Sequence, residues 1–401
     1  MNFSMDPRTR KLLEEIQELV EQELYPLESQ LETAGVRSLL PGLQEVRKKV
    51  RELGYWCPHV PREYGGMGLS LVEHGLVSAV LGRCQLGHYA FNCQAPDAGN
   101  MEILIKHATP QQKSTFLQPL LEGQIRSCFA MTEPERPGSN PTWMETSAVR
   151  DGPDYVINGR KWFTSAADGS TFAVVMAVTD AAAGRYERAS MILVPLETAG
   201  FRIVRNIPIM GHAGEDYFSH GEVLFEDCRV PRENLLGAEG AAFKIAQERL
   251  GAGRIHHCMR WIGICERAIE LMCRRAADRE LSPGQPLGSK QIVQRWIADS
   301  WTQTQAARLM VLNAAWKMEE DGQLGARKEI SAIKYYAANV LQKVLDRAIQ
   351  AHGGLGVTSD TPLAGFFRDE RAARIYDGPD EVHRIVIARE LLRPYGLKVT
   401  F

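Results

Sequence analysis

None of the eight cysteines, at positions 57, 84, 93, 128, 228, 258, 265 and 273, belongs to a Cys-X-X-Cys pair. A chain of 401 residues can bury a sizeable core without cross-links, so free thiols in a reducing compartment are expected, not a disulfide framework. No apolar run reaches the length that spans a bilayer. Neither sign of charge is in large excess. The net charge of -2 provides no electrostatic reason to expect nucleic acid or an anionic membrane as partner. The polar start, Met1 to Arg10, passes directly into a helical pattern, so no secretory signal is visible, and the final Lys398-Val399-Thr400-Phe401 is not a Ser-Lys-Leu address. A soluble protein of a bacterial cytoplasm or of an organelle matrix, mitochondrial or peroxisomal, is expected. A G-x-G-x-x-G fingerprint is also missing: the glycines of Pro58–Gly68 have another spacing and follow no strand. His256-His257-Cys258 looks metal-like, but neighbours on a helix diverge by about 100° and cannot converge on one ion, so no metal is expected.

What the chain does have is an α, then β, then α order. Apolar stripes such as Leu12, Leu13, Ile16, Leu19 and Val20, and Leu43, Val46, Val50 and Leu53, make residues 7–125 mostly helical. From about Ser127 the period shifts toward two. Strands are expected at Cys128–Met131, Thr146–Val149, Tyr155–Ile157, Phe172–Val178, Met191–Val194 and Val223–Phe225, in an antiparallel sheet or barrel. Long amphipathic helices follow at Ala241–Ala276, Lys290–Asp321 and Ala326–His352. The fold class is therefore α+β, with an N-terminal α-helical domain (1–126), a β-domain (127–236) and a C-terminal four-helix bundle (237–401).

One short stretch carries chemistry. In Ala373-Arg374-Ile375-Tyr376-Asp377-Gly378-Pro379-Asp380-Glu381-Val382-His383-Arg384, Asp377-Gly378 is a turn signal. Pro379 suits the first helical position, and Asp380 and Glu381 suit the positive end of the helix dipole. A helix from about Pro379 to Leu392 follows. Asp377 then stands at a helix mouth, where outward-pointing N–H groups can hold a developing oxyanion beside a base. By itself this stretch reads first as a turn aspartate that only caps the helix.

Several separated stretches decide otherwise. They are Pro61–Ser70 (PREYGGMGLS), Ala130–Pro134 (AMTEP) leading to Gly138-Ser139, Asn158–Ser165 (NGRKWFTS), Phe225–Pro231 (FEDCRVP) and Gln350–Gly356 (QAHGGLG), in that order, followed by the Asp377 stretch. Together they resemble the acyl-CoA dehydrogenase family across essentially the whole chain. Ala95–Glu102 (APDAGNME) and Asp377–His383 (DGPDEVH) are similar to one branch of it, the dehydrogenase domains fused in some proteins to a kinase-like domain and their free-standing bacterial relatives. No kinase motif occurs here.

The resemblance implies an FAD-dependent acyl-CoA dehydrogenase that oxidises an acyl-CoA thioester to the trans-2-enoyl-CoA, with an electron-transferring flavoprotein as acceptor and a homodimer or homotetramer (a dimer of dimers) as assembly. Asp377 becomes the base, one methylene shorter than the Glu many members carry, with a pKa expected to be raised by desolvation. Met131, Thr132, Trp162, Phe163 and Thr164 fall where the family holds the isoalloxazine. Arg279 and Gln291 fall where it reaches the FAD pyrophosphate of a neighbouring subunit. Gln350, Gly353 and Gly354 form its flavin-binding turn, and Pro379, Asp380 and Glu381 replace its Thr-Ser-Gln flavin contacts. Ser139, Arg254 and Gly378 are the substrate-side candidates. His212, His220, Asp97 and Arg384 suggest a long or polar-substituted acyl chain, carrying a hydroxyl or phosphate. Two alternatives stand beside this reading: an acyl-CoA oxidase using oxygen, and a non-catalytic acyl-CoA-binding or assembly protein, suggested by the Glu-to-Asp change.

Overall fold

The computed structural model describes residues 5–397; Met1–Ser4 and the terminal Lys398–Phe401 lie outside the described residues. The first third is helical: Pro7–Leu19 (α1), Tyr25–Glu28 (α2), Leu31–Ala34 (α3), Val36–Glu52 (α4), Leu71–Gly82 (α5), Gly87–Ala90 (α6), Asp97–His107 (α7), Pro110–Gln112 (α8) and Gln118–Leu121 (α9). Local chemistry sets the starts. Asp6 caps α1 through Arg8 N at 3.1 Å, and Ser70 with Glu73 forms a reciprocal capping box at α5. Helix α5 is apolar on nearly every side and buried almost throughout, as expected of a helix packed on all faces.

Strands follow at Ser127–Ala130 (β1), Ser147–Asp151 (β2), Asp154–Ser165 (β3), Phe172–Val178 (β4), Ala189–Pro195 (β5), Phe201–Asn206 (β6), His220–Pro231 (β7) and Leu235–Leu236 (β8). They form one sheet in the order β6-β7-β3-β2-β4-β5-β8, with β1 attached to β4. The sheet is not wholly antiparallel. Strand β1 runs parallel to β4, Ser127 opposite Phe172, and β2 meets β4 in a parallel contact at Ser147 and Val178. Strand β6 was not anticipated, because Arg202–Arg205 are all exposed on the sheet edge and show no alternation. On β4 the alternation works in both directions. Phe172, Val174 and Met176 pack on the N-terminal helices, while Ala173, Val175 and Ala177 pack inward with Tyr155, Ile157 and Phe225.

The C-terminal part comprises Ala242–Asp278 (α10), Gln291–Gly325 (α11), Arg327–His352 (α12), Leu363–Glu370 (α13) and Asp380–Leu392 (α14), with a small hairpin at 280–286 between α10 and α11. Leu76 and Ala79 of α5 join the core of this bundle. The approach is close because of glycine: a Cβ on Gly263 would collide with the Ala79 carbonyl, and one on Gly82 with the Arg260 carbonyl. The N-terminal helices and the bundle therefore share one boundary through α5. Among the described residues, no helix is long and apolar enough to cross a membrane.

Candidate active site

Asp377 lies near the end of the irregular segment between α13 and α14, with φ of +53°, a left-handed conformation that Asp tolerates better than most residues. Helix α14 starts at Asp380 with Pro379 as its N-cap, one residue later than expected. Three side chains hold the turn by its carbonyls. Arg254 Nε and His383 Nε2 each donate to the Asp377 carbonyl at 3.1 Å. Lys334 Nζ, fully buried on α12, donates to the carbonyls of Ala373 at 2.7 Å and Gly378 at 2.9 Å. The preceding residue is fixed as well: Tyr376 Oη donates to Glu370 at 3.0 Å, and Glu370 also accepts from Trp261 Nε1 at 2.9 Å and pairs with Arg260 at 2.7 Å.

The Asp377 carboxylate lies 3.5 Å from His257 Nε2. Its pKa departs from expectation in sign. Burial alone would raise it, but His257, Arg254, Lys334 and Arg249 outweigh burial and hold the carboxyl below its ordinary value. Desolvation is legible along the chain, whereas the convergence of several cations on one turn is not. His257 itself is pushed down to about 4, mainly by burial, so its ring is neutral near pH 7.

A second constellation is built on the sheet. Between Lys161, opposite Val223, and Thr164, opposite Gly221, β3 carries one residue more than β7. This bulge re-aims Trp162 and Phe163, which pack tilted at 4.7 Å. Phe163 is 43% exposed and Trp162 half-buried, so neither is plain sheet core. Thr132 is joined to Trp162 twice, as Oγ1 donates to the Trp162 carbonyl at 2.8 Å and Trp162 N donates to the Thr132 carbonyl at 3.0 Å. Below them Lys161 is fully buried, donating to the Met131 carbonyl at 2.8 Å and to Glu133 Oε1 at 2.9 Å. Glu133 in turn accepts from Glu145 N at 2.7 Å and Thr146 N at 2.8 Å.

The remaining candidates are spread out. Ser139 is exposed on the loop after Thr132. Arg279 is exposed at the end of α10 and Gln291 at the start of α11, while Gln350, Gly353 and Gly354 are exposed at the end of α12. Asp380 is buried, accepting from Asn339 and from Arg374 Nε, both at 2.8 Å, and Glu381 is exposed beside Arg384. The four polar residues thought to surround the acyl chain do not converge. Asp97 is buried and accepts from Ser127 N at 2.7 Å, His220 bonds Ser165 at 2.8 Å, Arg384 lies over Tyr335, and His212 is exposed. A different polar group exists instead. His256 Nε2 and His74 Nδ1 lie 2.9 Å apart, with the His59 ring 5.5 Å from that of His74. Gly253 beside Arg254 does open space, since a Cβ there would meet nothing within 4 Å, whereas Gly251 packs against Gln323.

Sequence reading missed His257, Lys334 and Lys161. Two of them had a visible signal: Lys334 interrupts the apolar run of Ile330–Ala338, and Lys161 falls on the inward register of Tyr155 and Ile157.

The site thus has two centres, an aromatic pair on a bulged strand and a carboxylate gripped among cations at a helix mouth. Models of the acyl-CoA dehydrogenase N-terminal, middle and C-terminal domains match residues 6–124, 128–228 and 240–392. FadE2 of Mycobacterium tuberculosis, named as an acyl-CoA dehydrogenase, is 45% identical over 87% of this chain and 85% of its own length. Acyl-CoA dehydrogenase family member 10 of mouse is 42% identical over 97% of this chain, and family member 11 of chicken is 40% identical over 99%. The chain spans only 37% and 52% of those two relatives. A Mycobacterium abscessus structure described as an acyl-CoA dehydrogenase superposes with a TM-score of 0.93 at 40% identity, covering 98% of this chain and all of that one. The chain belongs to the acyl-CoA dehydrogenase family of FAD-dependent oxidoreductases.

The residues present fit that cofactor. Thr164 Oγ1 is buried with no partner among the described residues, an orphaned hydroxyl beside Trp162. The Thr132 N–H likewise lacks a partner among them. Gly353, with φ of +64°, and Gly354 would carry a Cβ into open space, which leaves their backbone free to be approached by a ligand.

Proposed function

We propose that this protein oxidises an acyl-CoA thioester to the trans-2-enoyl-CoA with Asp377 as the base. The observation that carries the proposal is the Asp377 turn itself: a carboxylate held ionised among Arg254, Lys334 and Arg249, on a loop whose Ala373, Asp377 and Gly378 carbonyls are engaged by Lys334, Arg254 and His383. Asp377 accepts the α-proton as the α C–H bond breaks, and the electrons of that bond enter the new double bond while the β-hydrogen leaves with its pair. Bound FAD supplies the acceptor for that hydride. The Asp377 N–H has no partner among the described residues and suits the thioester oxygen as charge develops there. Met131, Thr132, Trp162, Phe163 and Thr164 would hold the ring system. Pro379, Asp380 and Glu381 would lie along it mainly by backbone, with Gly378 and Arg254 toward the thioester and Ser139 toward CoA.

Arg279, Gln291, Gln350, Gly353 and Gly354 would serve a second copy. Arg254 lies within α10 and Arg279 just past its last residue, 25 positions on and roughly 37 Å away, farther than one extended dinucleotide spans. That separation supports sites shared between subunits of a dimer of dimers. An electron-transferring flavoprotein is the proposed acceptor. A polar acyl substituent is supported by other residues: both ring nitrogens of His59 and Nε2 of His74 are buried with no well-formed hydrogen bond among the described residues. His59 is pushed down to about 4 by burial, and a neutral ring suits a hydroxyl better than a phosphate, whose charge it would leave uncompensated.

Anaerobic flavin bleaching across short, long, branched and hydroxylated acyl-CoAs tests the activity and ranks substrates. Asp377→Asn is expected to keep the flavin and abolish bleaching. Surviving bleaching would remove Asp377 from the role. Faster reoxidation by oxygen than by the flavoprotein acceptor would favour the oxidase.

A further inference from the structure

Arg254 and His257 stand one turn apart on α10, so their side chains share a face. Both reach Asp377, but at different atoms: Arg254 Nε donates to its carbonyl at 3.1 Å, and His257 Nε2 lies 3.5 Å from its carboxylate Oδ2. The main chain and the side chain of one residue are thus held from one helix face. The His257 ring is itself constrained, edge-on to Tyr376 at 5.6 Å and stacked with Trp261 at 6.4 Å. Tyr376 and Trp261 are locked in turn by Glu370. His256 turns the other way, to His74, and takes no part.

We propose that His257 is a positioning residue for the base, a neutral donor whose Nε2–H fixes the orientation of the Asp377 carboxylate and compensates for its short reach. This rests on the reading of Asp377 as the base. Asp has one free torsion between Cα and the carboxyl plane, plus the broad rotation of that plane itself. Without a donor at Nε2 the plane would turn toward Arg254 or Lys334, away from a substrate carbon. A distance of 3.5 Å is long for a hydrogen bond in the free protein, and such contacts commonly tighten when substrate excludes water. His257 stays uncharged near pH 7, its pKa pushed down to about 4, so it donates without competing for the α-proton. With Nε2 only 3.5 Å from Oδ2, a carboxylate one methylene longer in the same direction would meet the imidazole. Shortening the base and filling the gap with an imidazole are therefore one arrangement.

The test compares wild type, His257→Val, His257→Gln, Asp377→Glu and the double variant His257→Val/Asp377→Glu as flavin-loaded enzymes. The reductant is whichever of butanoyl-, octanoyl- or hexadecanoyl-CoA, or their hydroxylated counterparts, bleaches the wild type. The rate of anaerobic flavin reduction is read beside calorimetric binding of the corresponding non-oxidisable CoA thioether. His257→Val is expected to slow reduction about 100-fold, the scale of a one-ångström misplacement, with thioether affinity unchanged. His257→Gln, which keeps a donor at similar reach, retains most of the rate. Asp377→Glu alone is slow because its carboxylate meets the imidazole, and the double variant recovers rate over either single one. Wild-type reduction by His257→Val, equal losses in the Val and Gln variants, or no recovery in the double variant each overturn the proposal. Should His257→Val fail to hold flavin, the Gln variant decides: retained rate supports the role and a Val-sized loss ends it. Bleaching by Asp377→Asn would overturn the base assignment separately.

Discussion

Lys334 Nζ donates to the Gly378 carbonyl at 2.9 Å and to the Ala373 carbonyl at 2.7 Å, bracketing Asp377 from one buried ammonium. No carboxylate within ion-pair distance of Lys334 is found among the described residues; its partners are carbonyls and, at longer range, the Asp377 charge. Lys334 therefore ties the fold of the loop to the charge of Asp377, the proposed base. Lys334→Met should leave a buried and a part-buried acceptor unpaired and cost about 1–3 kcal/mol. It should also move the acid limb of flavin reduction to higher pH, since one cation that holds the Asp377 pKa down is gone. A melting curve and a pH–rate profile read the two effects. An unchanged acid limb would mean that Lys334 acts on structure alone.

The buried histidines predict an acid-sensitive fold. His59, His257 and His383 are each pushed down to about 4 by burial, and His74, His88 and His256 lie well below the ordinary value for the same reason. Below pH 6.5 the unfolded chain binds protons that the folded one refuses, so this part of the stability is present above about pH 6.5 and is lost as pH falls toward 4. Melting temperature should drop steeply over that window. His59→Phe should flatten the drop while leaving the value at pH 8 nearly unchanged. An equally steep acid drop in that variant would place the sensitivity elsewhere.

Lys161 and Glu133 support the strand–loop junction from beneath. Lys161→Met leaves the Glu133 carboxylate buried without its cation, and breaking such a pair typically costs about 3–5 kcal/mol. Because Lys161 also holds the Met131 carbonyl, the variant should purify with less flavin at equal protein concentration, measured as the ratio of visible to ultraviolet absorbance. Full flavin occupancy would show that the junction keeps its shape without the ammonium.

Gly263 sets the distance between α5 and α10. Gly263→Ala should lower stability by about 1–3 kcal/mol through a forced collision with the Ala79 carbonyl, whereas Gly253→Ala, which meets nothing, should raise it by up to about 1 kcal/mol, the helix preference of Ala over Gly. Chemical denaturation of the two variants side by side checks the contrast. Similar shifts would mean that the helices can move apart.

Much of the layout was legible in the chain because it depends on local periodicity. Helices predicted at Ala241–Ala276 and Ala326–His352 form at Ala242–Asp278 and Arg327–His352, and the strand predicted at Phe172–Val178 forms with those bounds. Strand β6 was not legible, since an exposed edge strand needs no alternation, and the parallel β1–β4 pairing was not, since pairing partners are far apart in sequence.

For the site, the sequence alone named the candidate base, the strand proposed to face the cofactor and the glycine turn, because these sit in short motifs whose residue types are local requirements of the backbone and the chemistry. Only the tertiary structure decided what surrounds them. Arg254, His257, Lys334 and Asp377 come from three segments separated by up to 123 positions, and no pattern along the chain encodes their meeting. Distance of approach, not residue type, sets an electrostatic field. Hence the lowered pKa of Asp377, the opposite of what burial alone implied, could only emerge once α10 and α12 had packed against its turn.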